Sequence, residues 1–154
     1  MKAIDQHSFW KERIDNADRE HYSVFICSDD EWNRIGQIHK DIIQKETSGK
    51  VLDAGCGYGR ASEWVEDYTG VDFSPDFIEL AKSKYPNKTF IQASLKGLPF
   101  KDNEFDFAFC ISMKAMVVGQ MGEKEWDLME KELKRVAKKL LILEYGNPEQ
   151  YWII

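Results

Sequence analysis

Three glycines at alternate positions follow a short apolar run that ends in an acid. The run is Val51 to Asp53, and the glycines are Gly55, Gly57 and Gly59. Glycine has no Cβ, so such a turn admits positive φ and lets a ligand come close to the main chain. The helix expected after the turn offers its first unpaired N–H groups to the same ligand. The pattern favours a ligand-binding turn over an ordinary structural turn.

A second acid ends the next apolar run, and a helix start follows it. Asp72 ends that run, Ser74 suits an N-cap and Pro75 suits the first helical position. In a doubly wound sheet, an acid at the end of the second strand can accept hydrogen bonds from ribose hydroxyls. The two elements together predict a nucleoside site. The nicotinamide-type spacing G-x-G-x-x-G fails, because the sixth position counted from Gly55 is Arg60.

Alternating strands and helices must position these acids and glycines. The predicted strands lie near 50–54, 68–72, 88–92, 105–111 and 139–145. The predicted helices between them lie near 60–66, 75–84 and 123–138. Such βαβ alternation implies a parallel sheet with right-handed crossovers, and therefore an α/β fold that is doubly wound and Rossmann-like. An all-apolar fourth strand agrees with a sheet covered by helices on both faces.

The first 48 residues predict helices instead of strands. Ser28 and Glu31 form a capping box at the start of a helix that closes near Gly49. One face of that helix carries Trp32, Ile35, His39 and Ile42. An earlier amphipathic segment carries Phe9, Trp10, Ile14 and Ala17. We therefore expect a single domain over 1–154, with 1–48 as a helical lid or cap and 49–154 as the cofactor-binding core.

Composition indicates a folded, acidic protein. The chain is 43% hydrophobic and 31% charged, which excludes disorder on composition. Its net charge of −6 and pI near 5.1 argue against general affinity for nucleic acid. Cys27, Cys56 and Cys110 match no disulfide or metal spacing, so we expect reduced thiols and no metal. A polar amino terminus and the absence of a membrane-length apolar run predict a cytoplasmic protein without membrane association.

Four motifs in sequence order resemble those of class I S-adenosylmethionine-dependent methyltransferases. Residues 53–59 resemble the first motif of that family, and residues 70–74 resemble its acidic second-strand motif. Residues 92–106 resemble the adenine loop and fourth strand, and residues 132–144 the fifth helix and strand. The resemblance covers roughly residues 48–146 and is closest to a subgroup that often methylates small molecules. It implies a mostly parallel sheet of about five strands in the order 3-2-1-4-5.

The resemblance implies S-adenosylmethionine as the cofactor and assigns its contacts. The cofactor-binding positions would be Asp53, Gly55, Cys56, Gly57, Gly59, Asp72, Phe73, Ser94, Leu95 and Cys110. Asp53 would lie near the amino-acid part of the cofactor, and Asp72 would hold the ribose. Phe73 and Leu95 would sandwich the adenine. Ser94 would touch the adenine edge, where the family usually has an Asp, so charge assistance is lost there.

Acceptor contacts in this family usually come from the amino-terminal segment and from the loop after the fourth strand. Candidates here are Trp10, His21, Tyr22, His39, Lys114 and Met116. An unperturbed imidazole titrates near neutrality, so His21 or His39 could act as a base, and Tyr22 is a candidate lid residue. A buried, locally bonded histidine and ordinary tyrosine packing are the structural alternatives. The motifs of nucleic-acid amino- and carbon-methylating enzymes are absent, which favours a small-molecule acceptor.

Three functions stay open at this point. The first is a small-molecule methyltransferase. The second is a catalytically silent S-adenosylmethionine-binding subunit that supports a partner protein. The third, a nucleotide-dependent oxidoreductase, is weak because Arg60 breaks the required glycine spacing.

The chain has few residues after the fifth strand, whereas the family usually adds two more strands. An unpaired fifth strand would be an exposed edge and an aggregation hazard. Residues 146–148 could turn the chain so that Tyr151 to Ile154 pairs back as a short antiparallel strand. Alternatively, a homodimer could cover the truncated edge. The tail is strongly apolar, which favours its burial in either way, and of the two we favour the hairpin.

Overall fold

Six strands form one sheet in the computed structural model, which describes residues 5–17, 25 and 27–154. The strands are β1 (Lys50–Ala54), β2 (Asp67–Asp72), β3 (Thr89–Gln92), β4 (Phe107–Ile111), β5 (Leu140–Leu143) and β6 (Tyr151–Ile153). Their order across the sheet is β3-β2-β1-β4-β5-β6. The first five are parallel, and β6 runs antiparallel to β5. The predicted α/β class and the order of the five parallel strands are confirmed.

Helices cover both faces of this sheet. They are α1 (Gln6–Asn16), α2 (Asp29–Glu46), α3 (Pro75–Lys84), α4 (Met113–Met121) and α5 (Glu123–Val136). Successive side chains of a strand point to opposite faces. On β4, Phe109 therefore packs with Ile43 of α2 and Ile78 of α3. Its neighbour Cys110 belongs to the opposite core with Leu133 of α5.

Two predicted helix starts are confirmed by their capping hydrogen bonds. At the start of α2, the Glu31 N–H donates to Ser28 Oγ over 3.2 Å. At the start of α3, the Phe77 N–H donates to Ser74 Oγ over 3.4 Å, and Pro75 occupies the first turn. These bonds satisfy N–H groups that lack a partner within the helix.

Two local predictions need correction. The helix predicted near 60–66 is only a 3₁₀ turn, Arg60–Glu63, which ends at its C-cap Trp64 before β2 begins at Asp67. Helix α4 was not predicted. Its segment is apolar without a helical period, and its N-cap Ser112 makes no side-chain capping bond, so the local sequence carries neither usual signal.

The chain after β5 folds back onto it. Leu143 pairs with Tyr151, and the Leu140 and Ile154 main chains exchange hydrogen bonds of 2.8 and 2.9 Å. The Tyr151 hydroxyl also donates to Glu46 Oε1 over 2.8 Å. The predicted hairpin is therefore confirmed, and dimerisation stays a prediction. In the part of the chain described here, no helix combines the length and the apolar character needed to cross a membrane.

Candidate functional site

A cavity of about 950 Å³ opens over the carboxyl ends of the parallel strands. Asp53 of β1, Asp72 of β2, Ile111 of β4 and Glu144, directly after β5, all contribute to its wall. This is the crevice where open α/β sheets bind ligands, at the point where the strand order reverses. The sheet topology therefore places three acids that are distant in sequence, Asp53, Asp72 and Glu144, in the wall of one cavity.

The glycine turn adopts a conformation that requires glycine. Gly55 and Gly57 have φ of 76° and 53°, in the left-handed region. The Val71 carbonyl accepts hydrogen bonds from the N–H groups of Gly55 and Cys56, over 2.8 and 2.9 Å. A Cβ at Gly55 would collide with the Met113 sulfur. Any side chain at this position would therefore strain the turn and force the Met113 side chain to move.

The amides of the turn are already used inside the protein. Besides the two bonds to Val71, the Gly57 N–H donates to Asp72 Oδ2 over 3.0 Å, and the Gly59 N–H donates to the Cys56 carbonyl over 3.0 Å. These four N–H groups therefore have acceptors within the protein. The glycines, which carry no Cβ, leave room for a ligand to come close to the main chain.

Asp72 lies at the end of β2 with its carboxylate fixed. Oδ2 accepts the Gly57 N–H, and Oδ1 accepts the Ser74 N–H over 2.9 Å. Burial raises the pKa of this carboxyl to about 6, and the backbone hydrogen bonds oppose that rise. The carboxylate retains acceptor capacity toward the cavity that it lines.

Asp53 is the second buried acid of the cavity. Its Oδ2 accepts a hydrogen bond of 2.7 Å from the Tyr68 hydroxyl. Burial raises the pKa of this carboxyl to about 7, the Tyr68 bond lowers it, and the charge of Asp72 raises it. Two neighbouring buried carboxylates favour a ligand with positive charge, because such a ligand offsets both the burial and their repulsion.

The remaining predicted cofactor residues divide into two groups. Cys56, Phe73, Ser94 and Leu95 line the cavity, whereas Gly59 and Cys110 do not. A Cβ at Gly59 would lie 2.8 Å from the Phe90 ring, so this glycine faces the protein interior. Cys110 is fully buried within the sheet.

Part of the cavity lining is apolar, and we call this part the apolar compartment. It is lined by Leu95, Ile111, Met113, Met116, Val117, Met121 and Met129. Methionine side chains adapt to irregular apolar ligands. Of the predicted acceptor contacts, Trp10 and Met116 line the cavity and Lys114 does not.

Of the three predicted catalytic candidates, the structure describes His39, which does not line the cavity. His39 is fully buried, and its Nε2 lies 3.3 Å from the Glu144 carbonyl oxygen. Burial lowers the pKa of this imidazole to about 4, so the ring is neutral at physiological pH. It is absent from the cavity lining, which agrees with the structural alternative. His21 and Tyr22 lie outside the described residues.

Helix α1 crosses the cavity near α3 and α4. The Trp10 and Phe77 rings lie 5.8 Å apart, and the His7 ring meets Phe73 edge-on at 5.0 Å. On the other side, Gln6 Nε2 donates to Gln120 Oε1 of α4 over 3.1 Å. These contacts make α1 one wall of the cavity.

The cavity residues that sequence reasoning missed include Arg60, Glu144 and Tyr145. The Arg60 guanidinium stacks 3.5 Å from the Trp32 ring centre and donates to the Trp32 carbonyl over 2.8 Å. Glu144 follows a parallel strand, as Asp53 and Asp72 end theirs, and that position is the signal that could have identified it. Within the described ranges, no cluster of three or more His, Cys, Asp or Glu is arranged to hold a metal ion.

Comparison with known proteins adds independent evidence. Residues 52–141 match the family described as a methyltransferase domain. The chain is 34% identical over 140 residues to 2-phytyl-1,4-naphtoquinone methyltransferase of a Nostoc species, covering 77% of this chain and 58% of that protein. It is 31% identical over 130 residues to demethylmenaquinone methyltransferase of Paenarthrobacter aurescens, covering 80% and 49%.

A solved structure supports the same family assignment. A SAM-dependent methyltransferase of Methanosarcina mazei superposes with a TM-score of 0.56 at 27% identity, covering 66% of this chain and 55% of that one. The chain thus spans about half the length of the proteins that it resembles.

Proposed function

Because the chain belongs to the S-adenosylmethionine-dependent methyltransferases, we propose that it transfers a methyl group from that cofactor to a small, largely apolar acceptor. One observation carries this proposal: the same cavity is lined by two buried carboxylates, Asp53 and Asp72, and by a set of methionine side chains. A cationic cofactor suits the carboxylates, and an uncharged acceptor suits the methionine-rich lining.

The residues present fit the cofactor. Asp72 would accept hydrogen bonds from the ribose hydroxyls, because its carboxylate still has acceptor capacity. Asp53 would face the ammonium group of the amino-acid part. Phe73 and Leu95 would flank the adenine, and Ser94 would lie at its edge. When bound, the cofactor supplies a sulfonium methyl group that is already electrophilic.

The protein's own contribution is then positioning and exclusion of water. Aligning two reactants in one geometry can supply roughly 7–11 kcal/mol of the barrier reduction. The wall formed by α1, with its Trp10–Phe77 contact, would exclude water from the part of the cavity that it lines. The side chains of α4, including Met113 and Met116, would hold the acceptor against the methyl group.

The acceptor that we infer is a hydroxylated aromatic ring with an apolar substituent. Two relatives are named for methylation of phytyl-naphthoquinone and demethylmenaquinone, which are bicyclic rings with long apolar chains. An electrophilic methyl group requires an electron-rich partner, so the reactive form of such a ring is the reduced hydroquinone. The apolar lining of the compartment supports a ring of this kind.

The other two functions have less support. The named relatives are methyltransferases, which gives the catalytically silent subunit no support. The oxidoreductase hypothesis requires a dinucleotide turn that the spacing from Gly55 to Arg60 does not provide.

Calorimetric titration with S-adenosylmethionine, S-adenosylhomocysteine and NAD tests the proposal. We expect the first two to bind and NAD not to bind. Transfer of radiolabelled methyl from the cofactor to reduced 2-phytyl-1,4-naphthoquinone or 1,4-dihydroxynaphthalene then tests the acceptor. Binding of NAD in preference to the sulfonium compound would reject the methyltransferase assignment.

A further inference from the structure

Glu144 is the one acid in the described cavity lining that lies away from the predicted cofactor end. Asp53 and Asp72 end β1 and β2, whereas Glu144 follows β5, two strands from β1 in the sheet. Its side chain lies against the first turn of α4, the helix that carries three of the four methionines of the apolar compartment. This acid therefore belongs to the acceptor half of the cavity.

The Glu144 side chain is held in place. Its Oε1 accepts a hydrogen bond of 3.1 Å from the Ala115 N–H of α4. The adjoining main chain is fixed as well, because the Tyr145 N–H donates to Ser112 Oγ over 2.8 Å. Ser112 has a φ of 56°, an unusual value for a residue with a side chain, and His39 Nε2 contacts the Glu144 carbonyl. Such support preorganises a functional group.

The chemistry of a carboxylate limits what it can bind. An ionised Glu only accepts hydrogen bonds, so its ligand must carry a hydroxyl or an N–H group. Burial raises the pKa of Glu144, whereas the Ala115 N–H, the Ser112 hydroxyl and the Lys114 ammonium lower it. In half-buried apolar surroundings, a donor that pairs with this carboxylate is bound more strongly than in water.

We propose that Glu144 binds the hydroxyl of the methyl acceptor and takes up its proton during transfer, an inference that rests on the proposed function. The O–H bond of the acceptor breaks and its proton passes to a Glu144 carboxylate oxygen. The electron pair left on the acceptor forms the new bond to the methyl carbon, and the pair of the broken S–CH₃ bond stays on sulfur. One proton leaves the acceptor per methyl group transferred, and Glu144 carries it.

A purely structural role is the competing explanation. Ser112 makes no capping bond for α4, so Glu144 acts as a remote cap through the Ala115 N–H. Glu144→Gln separates the two roles. The glutamine carbonyl can still accept from Ala115, so the cap is retained, but the negative charge and the capacity to take a proton are lost.

The test uses the full chain saturated with S-adenosylhomocysteine, with 1-naphthol and naphthalene as probes. Equilibrium dialysis measures the ratio of their dissociation constants for the native protein, Glu144→Gln and a control, Glu79→Gln, whose acid is exposed on α3 outside the cavity. We expect the native protein and the control to bind 1-naphthol more tightly than naphthalene. In Glu144→Gln, the ratio of the two dissociation constants should change roughly five- to tenfold toward equal binding.

Emission from the bound probe gives a second readout. Excited 1-naphthol is a strong acid, so in a water-poor cavity it emits as the anion where a proton acceptor touches its hydroxyl. We expect anion emission from the native complex and neutral emission from Glu144→Gln.

Unchanged preference and emission in Glu144→Gln would overturn the inference and leave Glu144 as a helix cap. Failure of the native protein to bind S-adenosylhomocysteine would instead reject the proposed function. If that cofactor product binds with equal affinity to native protein and Glu144→Gln while neither ring binds, the acceptor role of Glu144 is also rejected.

Discussion

Two of the roughly four lone-pair positions of the Asp72 carboxylate are occupied by the backbone N–H groups of Gly57 and Ser74. This residue therefore links the glycine turn to the start of α3, and it still faces the cavity. A hydrogen-bond acceptor fixed in this way loses little freedom when a hydroxyl binds.

Replacing Asp72 with Asn should weaken S-adenosylhomocysteine binding by about 1.5–3 kcal/mol, the range for hydrogen bonds to a charged group. Asn can still accept one backbone N–H, so the fold should survive. Calorimetric titration measures the loss. Asp67→Asn is the matched control, because Asp67 is an exposed acid at the opposite end of β2. Equal affinities for the two variants would mean that Asp72 does not hold the ribose.

At the scale of elements, the edge of the sheet depends on β6. Its three residues pair with β5 and remain partly exposed, Trp152 at 50%. The main chain of β5 would otherwise present unpaired N–H and C=O groups to other chains.

Deleting Tyr151–Ile154 should remove about 2 kcal/mol of stability, because three cross-strand pairs each contribute roughly 0.2–1 kcal/mol. The melting temperature should fall by roughly 4–8 °C, as measured by circular dichroism, and light scattering should increase as the β5 edge is exposed. Trp152→Ser keeps the strand and removes only an exposed side chain, so it should melt close to the native protein. An unaltered melting curve after the deletion would show that β6 contributes nothing to stability.

At the scale of the whole molecule, folding and ligand binding are linked through the two buried carboxyls. The pKa values of Asp53 and Asp72 are raised by burial to about 7 and about 6 in the folded protein. In the range between the unfolded and folded pKa values, the folded state binds more protons than the unfolded state. The stabilising contribution of these groups is therefore present at low pH and is lost as pH rises through the folded values.

We expect the free energy of unfolding of the ligand-free protein to decrease between pH 5 and 8 through this contribution. Asp53→Asn should flatten that decrease, since Asn cannot ionise but can still accept from the Tyr68 hydroxyl. Urea unfolding at several pH values measures the effect. A cationic ligand favours the ionised carboxyls, so binding should release protons, which calorimetry in buffers of different ionisation enthalpy detects. The same slope in Asp53→Asn would contradict this assignment.

Local sequence patterns were sufficient to predict the five parallel strands, the helix caps at Ser28 and Ser74, and the position of the acids near the ends of β1 and β2. Each of these signals lies within a few neighbouring residues, where periodicity and capping act. The β5–β6 hairpin was also predictable from local sequence, because a turn followed by an apolar segment can pair back onto the strand before it.

Only the tertiary structure decided the rest. Helix α4 is capped at Ala115 by Glu144, which lies 29 residues away in the chain. The same fold buries His39 and brings Arg60 beside Trp32. The N–H of Gly57 bonds to Asp72 only because β1 and β2 are neighbours in the sheet. These relations depend on which elements become adjacent, and no local pattern of residues encodes that adjacency.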